Sequence, residues 1–371
     1  MKSPLYEWHV AAGAKLADFG GWDMPIEYPK GTSEGFSGGV LAEHVSVRVG
    51  VGLFDVSHLG KISVVGSGSL NYLNSMLTND LNRIAPGSAQ YNLICNAQGG
   101  VIDDLIVYQN SESDFFLIPN AANCAEVARV LTENAPADIV IENIHQSYGV
   151  LALQGPLSAK VMNSLGLDLE LDYMQFTQVQ LPLHPELGSV IICRTGYTGE
   201  FGYELVPSWS STLPLWEILV TQVNGLGGRV CGLGARDTLR TEMGYPLHGH
   251  ELSLDISPLQ ANAGWAVAMN KGEFLGRSVL AAEKEKGLSR ISRGLKSLDR
   301  GIPRAGMKVL VGGSEIGEVT SGTFSPTLKH GIALALISPS VKVGDQVEID
   351  VRGRVSVAEV VKIPFVESKV R

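Results

Sequence analysis

Two adjacent carboxylates, Asp103 and Asp104, follow the double glycine Gly99-Gly100 at the start of the apolar run Leu105-Ile106-Val107. Neighbouring side chains on a strand leave opposite faces, so the spacing predicts one aspartate facing a pocket and the other facing outward. A carboxylate held in a pocket can accept a proton or stabilise a developing cation. As ordinary turn residues the pair would only close a loop. A second polar cluster runs Arg194-Thr195-Gly196-Tyr197-Thr198-Gly199-Glu200-Phe201-Gly202-Tyr203-Glu204. Glu204 opens an apolar strand, where a carboxylate can accept two N–H groups from a planar amidine-like edge. The alternative is a hairpin with solvated glutamates. In a third cluster, Gly232-Leu233-Gly234 leads into a helix that carries Arg236 and Arg240 four residues apart. That spacing puts both arginines on one face and Asp237 elsewhere; a salt-bridged surface helix is the competing reading.

Other patterns fail on context. Gly66-Ser67-Gly68 lies between a strand and a helix, but Asn71 stands where a dinucleotide fingerprint wants Gly or Ala. Gly35-Phe36-Ser37-Gly38-Gly39 matches G-x-S-x-G without the apolar strand that a nucleophile elbow requires. His248-Gly249-His250-Glu251 sits among Pro and Gly and reads as a loop with a hydrogen-bonding histidine, not a metal site.

The elements that must position these clusters are short. Residues 60–66, 104–108, 115–119, 149–153 and 189–193 read as strands, and 69–78, 121–134, 157–165 and 212–223 as helices. The order lacks a strict βαβα rhythm and favours an α+β fold. Composition shifts near residue 283. Beyond it, short strands at 308–311, 315–320, 331–336, 346–351 and 355–363 alternate with turn signals, the pattern of a small all-β domain.

The chain has 371 residues, enough for two or three domains, and 43 glycines, well above the ~7 % average. The formal net charge of −9 argues against bulk affinity for nucleic acid or anionic membrane, while leaving a local basic pocket possible. Cys95, Cys124, Cys193 and Cys231 form no CxxC pair and read as free buried thiols of a reducing compartment. The first fifteen residues lack an apolar signal core, and no run reaches 18 apolar residues, so a cytoplasmic protein without a membrane span is expected.

Taken together, the motifs resemble a family. Phe19-Gly20-Gly21-Trp22-Asp23-Met24-Pro25, Phe54-Asp55-Val56-Ser57-His58, the GGVIDDL segment, Ala152-Leu153-Gln154-Gly155-Pro156, the TGYTGE segment, the GLGARDTLR segment, Val319-Thr320-Ser321-Gly322 and Pro364-Phe365-Val366 occur in the order seen in the T-proteins of the glycine cleavage system. The resemblance implies an aminomethyltransferase. Such enzymes take the one-carbon unit from the aminomethyl-lipoyl arm of H-protein and pass it to tetrahydrofolate as co-substrate, with release of ammonia and without a metal. It also implies a three-domain ring around a central folate channel. Residues 1–50 plus 147–250 would form an antiparallel-sheet folate domain, 51–146 plus 251–283 a ferredoxin-like domain, and 284–371 a small β-barrel or jelly-roll domain.

Carried over position by position, Asp104 matches the catalytic carboxylate. Glu204 matches the acid that grips the pterin, and Arg236 the folate-site arginine. Tyr197, Tyr245, Tyr91 and Asn120 match further folate contacts, and Trp265 a channel-lining residue. The chain departs from the family in a Gly/Ser-rich stretch, 31–39, that reads as an insertion, in His248 where Tyr is common, and in Leu59 where Met is common. Two sibling activities share the resemblance: a folate-dependent demethylase acting on a small S- or N-methyl compound, and a folate-binding protein of iron–sulfur cluster maintenance. The latter carries a cysteine-containing segment where this chain has Tyr197, which counts against it.

Overall fold

The computed structural model describes residues 1–30, 38–351 and 353–371. Residues 31–37, with most of the Gly/Ser-rich stretch and of the G-x-S-x-G match, lie outside the described residues. The fold is α+β, as the lack of βαβ alternation predicts.

Two mixed layers carry the polar clusters. One is a six-stranded sheet in the order Phe176–Gln180, Ser189–Cys193, Gly202–Val206, Leu151–Gln154, Gly52–Asp55 and Arg229–Cys231. Its pairs are antiparallel except the last, where Arg229–Cys231 runs parallel to Gly52–Asp55. The strand Gly52–Asp55 therefore belongs with this sheet, and a domain boundary at 51 would sever it from its partner Leu151–Gln154. The second layer is an antiparallel five-stranded sheet in the order Ser88–Cys95, Val101–Ser111, Asp114–Pro119, Ile62–Gly66 and Ile139–Asn143. Helices Ser69–Met76 and Cys124–Asn134 pack their apolar residues Leu73, Val127 and Leu131 into its core. The chain leaves the first sheet at Val56 and returns at Val150, and the Val56 N–H donates to the Val150 carbonyl at 3.0 Å. The five-stranded unit is thus an excursion whose entrance and exit are stapled together.

The C-terminal part closes into a six-stranded barrel, Ile291–Ser297, His330–Ile337, Ser314–Ser325, Lys308–Val311, Gln346–Val351 and Arg354–Val361, sealed by pairing of the first strand with the last. Closure removes the exposed edges that an open sheet would present. The strand Ile291–Ser297 is not among the expected ones: its Ser, Arg, Gly and Lys show no apolar alternation, and its burial changes phase at Gly294-Leu295.

Two glycines set how closely the layers approach the site. A Cβ at Gly100 would lie 1.8 Å from the Leu254 carbonyl oxygen, so only glycine lets the 253–254 segment lie against the aspartate strand. A Cβ at Gly232 would lie 2.3 Å from the Ile26 backbone, where the hairpin Lys15–Phe19/Trp22–Glu27 crosses the start of helix Leu233–Met243. Gly232 gives that helix no side-chain cap, and the buried Glu43 carboxylate takes over, accepting from the Gly232 N–H at 2.8 Å and the Tyr28 N–H at 2.7 Å.

Candidate functional site

The strand Val101–Ser111 alternates buried and half-buried positions up to Val107, and Asp103 and Asp104 occupy one of each. The expectation that one aspartate faces outward is corrected: Asp103 is fully buried, and both carboxylates are held by the same amide. Asn120 follows the neighbouring strand Asp114–Pro119. Its side-chain amide donates to Asp103 Oδ1 and to Asp104 Oδ1, each at 2.9 Å. Asp103 also accepts from the Asn120 N–H at 2.8 Å and from Asn123 Nδ2 at 2.7 Å. Pleating separates adjacent side chains, but a loop curling over the strand end gathers both.

On its other oxygen Asp104 accepts from the Tyr91 hydroxyl at 3.0 Å. Burial pushes the Asp104 carboxyl above its ordinary range, against the hydrogen bond from Tyr91, the charge of His248 and the hydrogen bond from Asn120. Asp103 is raised as well, by burial first and then by the charge of Asp104. The Tyr91 ring stacks on Trp265 with centroids 5.2 Å apart, and Trp265 is 68 % exposed. Trp265 was expected along a channel; it covers Tyr91 from the solvent side.

Glu204 lies on Gly202–Val206 opposite Cys193 and Ala152, and accepts a hydrogen bond from Thr195. It is 7 % exposed. Arg236 and Arg240 share one face of their helix, as their spacing predicts, and both line a cavity of about 380 Å³ with Phe19, Ile26, Tyr197 and Arg304. Asp237 does not face elsewhere: it accepts from Arg240 Nη2 at 2.7 Å and Nε at 2.8 Å. Arg240 continues to Glu251 at 3.0 Å and to Ser321 Oγ of the barrel at 2.8 Å, so it is consumed in joining helix, loop and barrel.

Arg236 is different. Its guanidinium carbon sits 4.7 Å from the Tyr197 ring centroid, and its Nη1 is buried without a hydrogen-bond partner. Burial lowers its pKa while the Glu204 carboxylate opposes that shift, so the two groups lie within electrostatic reach of each other. A buried donor without a partner is costly in a finished interior and is what a binding site presents before its ligand arrives. Tyr197 is fixed by a hydrogen bond from its hydroxyl to the Pro246 carbonyl, and its ring lies 5.6 Å from that of Tyr245.

Reading the sequence missed several members of this surface. Asp103, which strand alternation alone turns outward, belongs to the Asn120 cluster. His248 is the hydrogen-bonding loop histidine that the sequence suggests, without a place in the site; its Nε2 meets the Val101 carbonyl at 3.0 Å, which puts an imidazole beside Asp104. Phe19 was noticed within a motif without a role, and Arg304 was not singled out. No local pattern announces these residues: the Asp103 contacts lie 17 and 20 positions away, the Arg304 contact 18 and the His248 contact 147.

Residues 5–271 match the family model described as the GCVT N-terminal domain, and residues 290–367 match the glycine cleavage T-protein C-terminal barrel domain. The chain belongs to the glycine cleavage T-protein family. It is 55 % identical to an aminomethyltransferase of Parafrankia sp. (strain EAN1pec), over 100 % of this chain and 99 % of the relative. It is 53 % identical to an aminomethyltransferase of Mycobacterium tuberculosis (strain H37Rv), over 99 % and 97 % of the two chains. The crystal structure of glycine cleavage system aminomethyltransferase T from Bartonella henselae superposes with a TM-score of 0.89 at 34 % identity, covering 100 % of this chain and 99 % of that one. This T-protein is accordingly an aminomethyltransferase of the glycine cleavage system, and the two sibling activities are not favoured.

Proposed function

We propose that the arginine-lined cavity, continued past Tyr197 towards Asp104, takes tetrahydrofolate, and that the donor is the aminomethyl-lipoyl arm of H-protein. The observation that carries this reading is the pairing of an unpartnered buried Arg236 Nη1 with a strand-borne Glu204 and the Tyr91–Asp104–Asn120 cluster. A pterin offers an edge of N–H donors, which Glu204 suits, and folate also carries carbonyl and carboxylate oxygens, which suit the Arg236 fork. The tyrosine faces supply flat apolar walls.

In the reaction the donor carbon loses its bonds to sulfur and to the amino nitrogen and gains bonds to two folate nitrogens. The two folate N–H protons leave with the thiol and with ammonia, so no oxidant or reductant is needed. Asp104, held by Tyr91 and Asn120, stabilises the iminium-like carbon and accepts a proton from the attacking folate amine. Burial raises its proton affinity, which suits a group that must take up a proton near neutral pH.

The experiment mixes the protein with aminomethyl-loaded lipoyl H-protein and tetrahydrofolate and follows ammonia and 5,10-methylenetetrahydrofolate. Parallel reactions offer small N-methyl and S-methyl compounds without H-protein. Products in equal amounts from H-protein alone support the reading. Turnover of a methyl compound without H-protein, or turnover independent of tetrahydrofolate, overturns it.

A further inference from the structure

The loop that carries Tyr197 and the helix that carries Arg236 meet at a seam. Gly199 has a φ of +79°, and a Cβ there would lie 2.2 Å from Met243 Sδ, so the loop rests directly on the helix Leu233–Met243. Arg48, on the helix Val40–Val49, reaches into this seam without lining the cavity. Its side chain is only 9 % exposed. On the loop side its Nη1 donates to the Thr198 carbonyl at 2.7 Å and to Glu200 Oε1 at 3.0 Å. On the helix side its Nε and Nη2 donate to Glu242 Oε2 at 3.1 Å and 2.8 Å. Glu242 is fully buried and is shared with the barrel: it accepts from Ser325 Oγ, from the Thr327 N–H at 3.2 Å and from Thr327 Oγ1 at 2.9 Å. His44 Nε2 lies 3.3 Å from its other side. Burial would raise the Glu242 carboxyl, but the hydrogen bond and charge of His44, the bond from Ser325 and the charge of Arg48 hold it down at about 2. Glu242 therefore carries its charge at neutral pH, and the Arg48 fork answers it.

We propose that Arg48 is a positioning residue for the co-substrate: by holding the 198–200 loop and Glu242 on one guanidinium, it sets the separation of Tyr197 from Arg236. The inference rests on the reading that the arginine-lined cavity takes tetrahydrofolate. Thr198 follows Tyr197 directly, so fixing the Thr198 carbonyl fixes the backbone from which the Tyr197 ring projects over Arg236. Tyr197 is then held at both ends, by its hydroxyl on the Pro246 carbonyl and by its backbone on Arg48. The Arg236 guanidinium, with Nη1 unpartnered, rests against that ring. A planar fork with five N–H donors serves loop and helix at once; a lysine ammonium in the same place has a single centre and loses one side. Arg48 reaches the ligand only through these neighbours.

The test titrates the intact protein with tetrahydrofolate and measures transfer from aminomethyl-loaded H-protein. Arg48→Lys should weaken tetrahydrofolate by about 2–30-fold, the range for a residue that acts on a site through its neighbours, while kcat at saturating tetrahydrofolate stays near the wild-type value. In an Arg236→Ala background the added loss from Arg48→Lys should vanish, because the contact through which Arg48 acts is gone. Glu200→Ala removes one loop-side acceptor and leaves Arg48 joined to the helix, so it should weaken tetrahydrofolate in the same direction by a smaller factor. Arg48→Lys with a lowered Tm but wild-type affinity overturns the proposal, since Arg48 then only holds the fold together. An equal loss with and without Arg236 overturns it too. Should Arg48→Lys fail to fold, unchanged affinity in Glu200→Ala overturns it. Failure of the wild type to bind tetrahydrofolate overturns the folate reading itself.

Discussion

Asp103 and Asp104 are held at 2.9 Å by one and the same side-chain amide, that of Asn120. Two neighbours on a strand thus act as one unit, the buried Asp103 orienting the amide and the amide orienting Asp104.

Asp104→Asn is expected to keep the fold and reduce aminomethyl transfer by about 10²–10⁴-fold, the ordinary range for loss of acid–base participation. Asp103→Ala should be damaging too. It leaves the Asn123 amide and the Asn120 N–H without their acceptor, at about 1–3 kcal/mol for each group left buried and unpaired, and leaves the Asn120 amide held by Asp104 alone. Thermal unfolding and single-turnover transfer separate the cases: a normal Tm with slow transfer for Asp104→Asn, and a lowered Tm with slow transfer for Asp103→Ala. Transfer by Asp104→Asn within threefold of wild type would remove it from the chemistry.

Because burial raises the Asp104 carboxyl, its working, ionised form is lost as pH falls through a value above the usual carboxylate range. The acid limb of the transfer rate should therefore lie above that range. The Tyr91 hydroxyl favours the ionised form, so Tyr91→Phe should move the limb to still higher pH. A pH–rate profile of both proteins checks the direction; a limb that moves down contradicts the pairing.

Glu204→Gln should weaken tetrahydrofolate by roughly 10–150-fold, the equivalent of about 1.5–3 kcal/mol for a hydrogen bond to a charged group. Arg236→Lys keeps the charge but loses the fork and the stacking over Tyr197, and should also bind worse than wild type. Equilibrium titration decides. Wild-type affinity in both variants would put the pocket elsewhere.

Glu43 bears on stability. Burial raises its carboxyl from 4.5 to about 7, against the Gly232 and Tyr28 N–H bonds. Between those values the folded state binds more protons than the unfolded chain, so stability falls as pH rises from about 4.5 to about 7. The full span corresponds to about 3–4 kcal/mol. Glu43→Gln should flatten this part of the profile, as read by urea midpoints at pH 5 and pH 8. An unchanged slope would show that the side chain is ionised throughout.

What the sequence disclosed follows the range of the interactions. The strand through Asp104, the helix bearing Arg236 and Arg240 on one face, and the turn-punctuated barrel are local patterns, and each lies where its periodicity puts it. The pairing of Asp103 with Asn120 and of His248 with the Val101 carbonyl depends on loops closing over strand ends, which no window of ten residues encodes, whereas Asp237 and Arg240 are a local pair three apart on one helix. Pleat alternation misjudged Asp103 for the same reason: it says which way a side chain leaves the strand, not what covers it there.

The stapled excursion between Val56 and Val150 has a consequence for how the protein is made. The strand Gly52–Asp55 emerges from the ribosome 95 residues before Leu151–Gln154, its antiparallel neighbour, and the parallel strand Arg229–Cys231 follows later still. At about 5–20 residues per second, that first strand waits roughly 5–20 s with its edge unsatisfied. The five-stranded sheet can assemble within the same interval, since all its strands lie inside the excursion. Nascent-chain order thus runs from the inserted layer outward, and the surface that later houses Glu204 and Arg236 is the last of the two sheets to close. Slowing translation across residues 56–150 should lengthen exposure of that edge to chaperones without touching any residue of the pocket.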